Sequence, residues 1–393
     1  MATVLFTWEL GLGLGHLVQI RTACLPLIER GHRVVVAACH LANAQQVFAG
    51  YPVEIVRAPR VAMPRKRLLQ VATYAHLLHN IGFGDGPTLL AATTSWRQLI
   101  LSVCPDAIVF DHSPTALLAS TGLGMKRAII GNGFCQPPQD RPLPVLRPWR
   151  QWELATAPQD EARLLGHMND ALHRFNVPPL SSMAEIYRGF DQSILTTIEL
   201  LDPFAPRTGK PDYLGVFTIG DAPPPQWPAG PGKRVFGYLK PFPALPVLLE
   251  ALAKSHLPAL FFCPTVDEAF RARYHTAQMQ LLHQPVDILR ACSECDFVIG
   301  SGTHATALHA LEAGKPALHI PLVLEPVLVS YAVEQAGAGL MAAPDNTNEL
   351  VDQFNRLITD PSLEAGAKRF LQPAECHQER LARLSRQVLS LVE

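Results

Sequence analysis

The sequence predicts two doubly wound α/β domains in tandem facing a central cleft, and three observations carry that expectation. The chain has 393 residues, too long for one ordinary domain and comfortable for two. In both halves short apolar runs alternate with segments of helical spacing, the pattern of parallel strands covered on both faces. Between the halves lies the run APPPQWPAGPG at 222–232, a stiff linker that cannot form a helix or a central strand. The plan is therefore an N-terminal domain over 1–221, a linker over 222–232, a C-terminal domain over 233–370 and a closing helix over 371–393.

Each element has its own signal. Residues 3–8 read as a buried strand, 11–15 as a glycine-rich turn and 16–30 as a helix stopped by Gly31. A second continuous apolar strand covers 33–39, a third 107–110 with a helix after it near 115–120, and a fourth 126–130. Residues 134–160 are rich in proline and tryptophan and form an irregular excursion suited to shaping an acceptor pocket, followed by a helix over 159–175. After the linker, strands are expected at 234–239, 259–263, 297–300 and 316–321. Helices are expected at 245–254, 304–313 and, in the tail, 375–392.

Composition narrows the function. Apolar residues make up 48% of the chain and charged residues 17%, ample for large cores and unlike a disordered chain. Lys and Arg total 33 against 34 for Asp and Glu, so no overall field draws nucleic acid. The eight cysteines (24, 39, 104, 135, 263, 292, 295 and 376) sit in apolar surroundings and read as reduced thiols of a cytoplasmic protein. Cys292 and Cys295 form a C-x-x-C with no second pair to complete a metal site, so no metal is assigned. The start, MATVLFTWEL, lacks the features of a signal peptide, and no apolar stretch is long enough to span a membrane. A basic cluster of Arg57, Arg60, Arg65, Lys66 and Arg67, with Met63, Leu68 and Leu69, fits peripheral contact with an anionic lipid surface or acidic acceptor. A solvated loop and helix face is the simpler reading. Trp149 and Trp152 among Arg147 and Arg150 fit both an acceptor wall and ordinary packing.

Two turns carry the chemistry. Gly11-x-Gly13-x-Gly15 misses the G-x-G-x-x-G of dinucleotide folds, and the second strand ends without an acid for a ribose, which argues against NAD. His16 stands where this turn meets the helix, and an imidazole of ordinary basicity can take a proton from a hydroxyl at neutral pH. Asp111, at the C-terminal end of the strand 107–110, is placed to fix its tautomer. Each residue by itself also fits a plain helix cap. In the second half, Gly300-Ser301-Gly302-Thr303 feeds straight into a helix, whose free amides and positive dipole end form an anion site. Ser301, Thr303 and Thr306 add hydroxyl donors and His304 an imidazole; a capped helix without ligand is the alternative.

The opening GLGLGHLVQIRTACLPLIERGHRVVVA resembles that of the UDP-glycosyltransferase family, family 1, of GT-B fold. The resemblance implies that His16 is the general base, that Asp111 in PDAIVFD is its partner, and that Gly13 and Gly15 belong to the acceptor-side loop. FVIGSGTHATALHALEAGKPALHIPLVLEP is similar to the family's donor motif. Thr306 stands at its Ser/Thr position and Thr303 at its second glycine, with Gly302 just before. Gly314, Pro316, Pro321 and Glu325 match, and Glu325 would hold sugar hydroxyls. Ser301 replaces the histidine that contacts the diphosphate, His309 the glutamate that holds the ribose, and Pro326 the glutamine that meets the sugar. No aromatic residue for stacking on uracil precedes Val286. These departures fit a UDP-sugar or a TDP-sugar, including a deoxysugar.

The family implies single-step, inverting, metal-independent transfer from a nucleotide-sugar co-substrate to a small-molecule, glycan or lipid acceptor, with no bound cofactor. Two alternatives remain at this level: a nucleotide-sugar 2-epimerase, which needs further acid/base groups, and a nucleotide-sugar binding protein without catalysis.

Overall fold

The computed structural model describes residues 1–11, 13–60, 66–218, 222–373 and 375–393. Arg65 and Met63 of the basic cluster lie outside these residues. The chain forms two compact units, one of Met1–Thr197, Phe204–Gly215 and Gln378–Glu393, the other of Ile198–Pro203 and Val216–His377.

The first unit holds a six-stranded parallel sheet of β1 (Thr3–Trp8), β2 (Arg33–Ala38), β3 (Val53–Arg57), β4 (Ala107–Asp111), β5 (Lys126–Gly131) and β6 (Gln192–Leu195). The spatial order is β3-β2-β1-β4-β5-β6. The central strands are apolar from end to end: Val4, Leu5 and Phe6 in β1 and Ile108, Val109 and Phe110 in β4 have no exposed surface, as expected of strands roofed on both faces. The helix after β1 is Gly15–Glu29. A longer helix, Gly86–Val103, is started by Asp85, whose side chain accepts from the Thr88 amide, with proline in its first turn, and stopped by Cys104 in the left-handed region.

The second unit repeats the plan with β7 (Val235–Tyr238), β8 (Ala259–Phe262), β9 (Met279–Leu282), β10 (Phe297–Gly300), β11 (Ala317–His319) and β12 (Gly339–Met341). Its order, β12-β11-β10-β7-β8-β9, is the same arrangement. Each sheet starts at its centre, winds outward one way, then returns to wind outward the other way. The pairs β1/β4 and β7/β10 are the two switch points, where ligands of such sheets collect beyond the strand ends.

The last helix, Glu375–Leu389, contributes buried Leu384 and Val388. The Gln387 amide donates to Asp212 at 2.9 Å, and Lys126 Nζ donates to the Ser390 carbonyl at 3.0 Å.

One close approach shows how tightly the second unit is built. A Cβ on Gly366, in the helix Pro361–Lys368, would overlap the Gly337 carbonyl oxygen. Both atoms are backbone, so neither yields by changing rotamer. Gly366→Ala is expected to cost on the order of 1–3 kcal/mol, read as a lower urea midpoint; a wild-type midpoint would mean the helix slides freely.

Candidate active site

At the first switch point, Trp8 of β1 and Asp111 of β4 stand in register. Asp111 is fully buried, and a buried carboxylate is tolerated only when its oxygens find donors. One oxygen lies 2.8 Å from His16 Nδ1. The other accepts from Gln19 Nε2 at 2.7 Å. His16 and Gln19 lie three residues apart on the helix Gly15–Glu29, so they share a face. With Asp111 on Nδ1, the nitrogen left for chemistry is Nε2, and the His16 side chain keeps 20% of its surface exposed.

The glycine turn serves that ring directly. A Cβ on Gly11, which has φ +106°, would overlap His16 Nε2. At Gly13 and Gly15 a Cβ would meet nothing within 4 Å. Gly11 is thus the position where a side chain would displace the His16 imidazole, and its signal in the sequence was its place at the start of the glycine run.

Aromatic rings complete the surroundings. Trp8 stacks on His16 with centroids 5.7 Å apart and His112 does so at 5.9 Å, while the Trp8 indole N–H donates to the Leu10 carbonyl at 2.7 Å. Burial, reinforced by the charge of His16, pushes the His112 imidazole down to about 3, so His112 stays neutral beside a protonated His16. The Cys39 thiol is pushed up to about 12, mainly by burial and further by Glu9 and Asp111, which removes it as a nucleophile.

Glu9 closes the back of the site. Its carboxyl accepts from the amides of Thr115 at 3.0 Å and Ala116 at 3.4 Å, at the start of the helix Pro114–Ser120. Burial nonetheless raises it to about 7 against the lowering effect of those bonds. The folded protein therefore holds this proton more tightly than the unfolded chain, and stability present below the unfolded value near 4.5 is lost as pH climbs through about 7. Glu9→Gln keeps an acceptor for the amides but has no proton to lose. Thermal unfolding from pH 5 to 8 should show a flatter decline in this variant, by on the order of 1–3 kcal/mol across the range. Parallel curves for the two proteins would deny the raised value.

At the second switch point β10 ends at Gly300, and Ser301, Gly302 and Thr303 lead into the helix His304–Glu312. Thr303 is the residue before the first turn, extended in backbone, and its side chain caps nothing; its hydroxyl donates instead to Thr306 Oγ1 at 3.1 Å. The positive end of this helix therefore has no cap bond from the Thr303 side chain. Ser301 Oγ accepts from the Lys240 amide at 3.3 Å, so it ties the turn after β10 to the turn after β7. His304, Thr306 and His309 are buried. Glu325 is half-buried in the first turn of the helix Leu324–Gln335. Gly302, with φ +68°, faces that helix: a Cβ there would overlap Ser330 Oγ and come within 3.1 Å of the Pro326 carbonyl. A bulky residue at Gly302 would thus disturb helix packing before it met any ligand. His319, which sequence reasoning passed over in PALHIP, pairs in register with Gly300, and burial pushes its imidazole down to about 4.

Other features are structural. The Trp152 indole N–H donates to the carbonyls of Leu146 and Arg147, and the guanidinium groups of Arg147 and Arg150 lie 4.8 Å and 5.0 Å from its ring centroid. Cys292 and Cys295 are buried in an apolar cluster with Phe236 and Val298, and none of the eight cysteines is in a disulfide. Among the described residues no helix is long and apolar enough to cross a membrane. A cavity of about 440 Å³ bounded by Ile198, Leu200, Glu312 and Phe370 lies at the C-terminal end of the helix His304–Glu312, away from Thr303.

No protein-family model matches the chain. It is similar to the zeaxanthin glucosyltransferase of Pseudescherichia vulneris, at 25% identity over 88% of each chain. It is also similar to a PGL/p-HBAD biosynthesis glycosyltransferase of Mycobacterium tuberculosis, at 23% identity over 82% of this chain and 78% of the other. Among solved structures, the spinosyn rhamnosyltransferase SpnG complexed with thymidine diphosphate matches all of both chains with a TM-score of 0.65 and 16% identity. The fold is that of the GT-B proteins, two Rossmann-like domains in one chain. By that fold and its curated relatives the chain is a glycosyltransferase.

Proposed function

We propose that this protein moves a sugar from a nucleoside-diphosphate donor to an acceptor hydroxyl in one displacement that inverts the anomeric centre. The observation that carries the reading is the 2.8 Å bond between His16 Nδ1 and the buried Asp111 carboxylate. It leaves Nε2 to remove the acceptor proton while Asp111 steadies the imidazolium that forms. A protein that merely holds a nucleotide has no task for such a pair.

The helix beginning at His304 would take the departing diphosphate on its first-turn amides, with the hydroxyls of Thr303 and Thr306 beside them. Charge is then balanced by dipoles and polar donors, which is why the mechanism as proposed calls for no metal. Glu325 would accept hydrogen bonds from sugar hydroxyls. The SpnG structure with thymidine diphosphate supports TDP-sugars as donors alongside UDP-sugars. The zeaxanthin relative and the SpnG structure with spinosyn aglycone favour a small-molecule or lipid acceptor over a glycan.

Two measurements test the reading. His16→Ala should cut transfer at least about a hundredfold with donor affinity nearly unchanged, and Asp111→Asn should cost less than His16→Ala does. Equal losses of turnover and donor affinity in His16→Ala would refute the base. Thr303→Asp places a capping carboxylate where the diphosphate would sit. Thermal stability should hold or rise, while calorimetry with UDP and TDP should show at least a roughly tenfold loss of affinity. Unchanged affinity would put the diphosphate elsewhere.

A further inference from the structure

The site holds a residue that the His16–Asp111 pair alone does not explain. Asp111 has two oxygens in a fully buried setting, and only one of them meets His16. The second accepts from Gln19 Nε2 at 2.7 Å. The Gln19 carboxamide is itself held: its Oε1 accepts from Thr196 Oγ1 at 2.7 Å. Thr196 is buried just beyond β6, where its amide donates to the Gly131 carbonyl at 2.9 Å at the end of β5. The ends of β4, β5 and β6 and the helix Gly15–Glu29 are thereby joined by one line of hydrogen bonds.

We propose that Gln19, pinned by Thr196, is a positioning residue that holds the Asp111 carboxylate turned toward His16. The proposal rests on the reading of His16 as the base. A carboxamide has a donor end and an acceptor end, and here each end has one partner that suits it. Turned about, its oxygen would face a carboxylate oxygen, a repulsion that only a proton on Asp111 would relieve. The Asp111 carboxylate therefore selects the orientation in which the N–H faces it, and the Thr196 hydroxyl, donating to Oε1, holds the carboxamide there. Donors then reach Asp111 from both sides, Nε2–H of Gln19 on one oxygen and Nδ1–H of His16 on the other. When the acceptor O–H bond breaks and its proton moves to His16 Nε2, the new positive charge faces a carboxylate whose position is already set. No reorganisation is needed at that moment. A glutamine is suited to this task because it donates without bringing a charge that would compete for Asp111.

The test uses the full-length protein and whichever of UDP-glucose or TDP-glucose the wild type consumes. Gln19→Met, nearly isosteric and without hydrogen bonds, should lower kcat about ten- to a hundredfold with donor KM within about twofold. Thr196→Val should lower kcat in the same direction by less, and Thr196→Ser should restore it. In an Asp111→Asn background, where no carboxylate remains to be set, Gln19→Met should cost little more. Proton NMR supplies a readout that needs no substrate. The low-field Nδ1 proton of His16, identified by its absence in His16→Ala, should be lost or move upfield in folded Gln19→Met. Wild-type kcat in Gln19→Met, an unmoved Nδ1 resonance, or full additivity with Asp111→Asn would overturn the proposal. Wild-type turnover in His16→Ala would bring down the underlying reading instead, so the two failures are told apart.

Discussion

A carboxylate with no exposed surface at the end of β4 governs how the first unit is arranged around it. Leaving Asp111 ionised in that position costs several kcal/mol unless donors meet both oxygens, and both donors come from successive turns of one helix. Gln19 and His16 therefore set where the helix Gly15–Glu29 sits over the strand ends. That placement requires the turn before the helix to pass close to the imidazole, which is why Gly11 can carry no side chain. The alignment of Trp8 with Asp111 across β1 and β4 then brings an indole against the same ring. Charge is kept sparse nearby: His112 is neutral, Cys39 stays a thiol, and Glu9 shares a proton near neutrality. The His16–Asp111 pair has no strong electrostatic competitor among these groups.

The two units have one topology and use it for different chemistry. In the first, the switch point is lined by side chains that titrate or donate in fixed directions. In the second, the corresponding turn after β10 offers backbone: a helix start without a side-chain cap, small residues, and a serine spent on the Lys240 amide. Under the proposed reaction this division is what each partner would demand. A hydroxyl needs a base matched to neutral pH, which only a side chain supplies. A diphosphate needs several donors converging on a delocalised charge, which a helix start supplies without a titratable group that could lose its proton.

The central strands were legible because they are continuous apolar runs, and the observed bounds of β1 and β10 coincide with those expected. The four edge strands β3, β6, β9 and β12 were not read. They have three to five residues each, and one neighbour instead of two leaves them half-covered and mixed in pattern, as in β3, where none of the five residues is fully buried. The helix Gly86–Val103 was passed over although its Asp85 cap and early proline are both ordinary start signals. At the site, His16 and Asp111 could be paired because each stands at the end of an apolar strand or turn. Gln19 and Thr196 could not, since a glutamine within a helix and a threonine after a short edge strand have no distinguishing pattern. Gly13 and Gly15 drew attention through their spacing, yet only the three-dimensional path of the turn shows that Gly11 faces the ring.

The departures from the family's donor motif look different once burial is known. Ser301 stands where the family has a histidine, and its hydroxyl is already bonded within the protein, so it acts first on the shape of the turn. His309 stands where the family has the acid that grips a ribose, and it lies buried on the helix. Neither substitution removes the start of the helix His304–Glu312. Under the proposed reading, a nucleoside diphosphate at this turn would be recognised mainly through its phosphates, with less discrimination at the ribose and base than the full motif allows. Donor choice would then rest on the sugar, with Glu325 as its proposed partner, and tolerance for more than one nucleobase is the expected consequence.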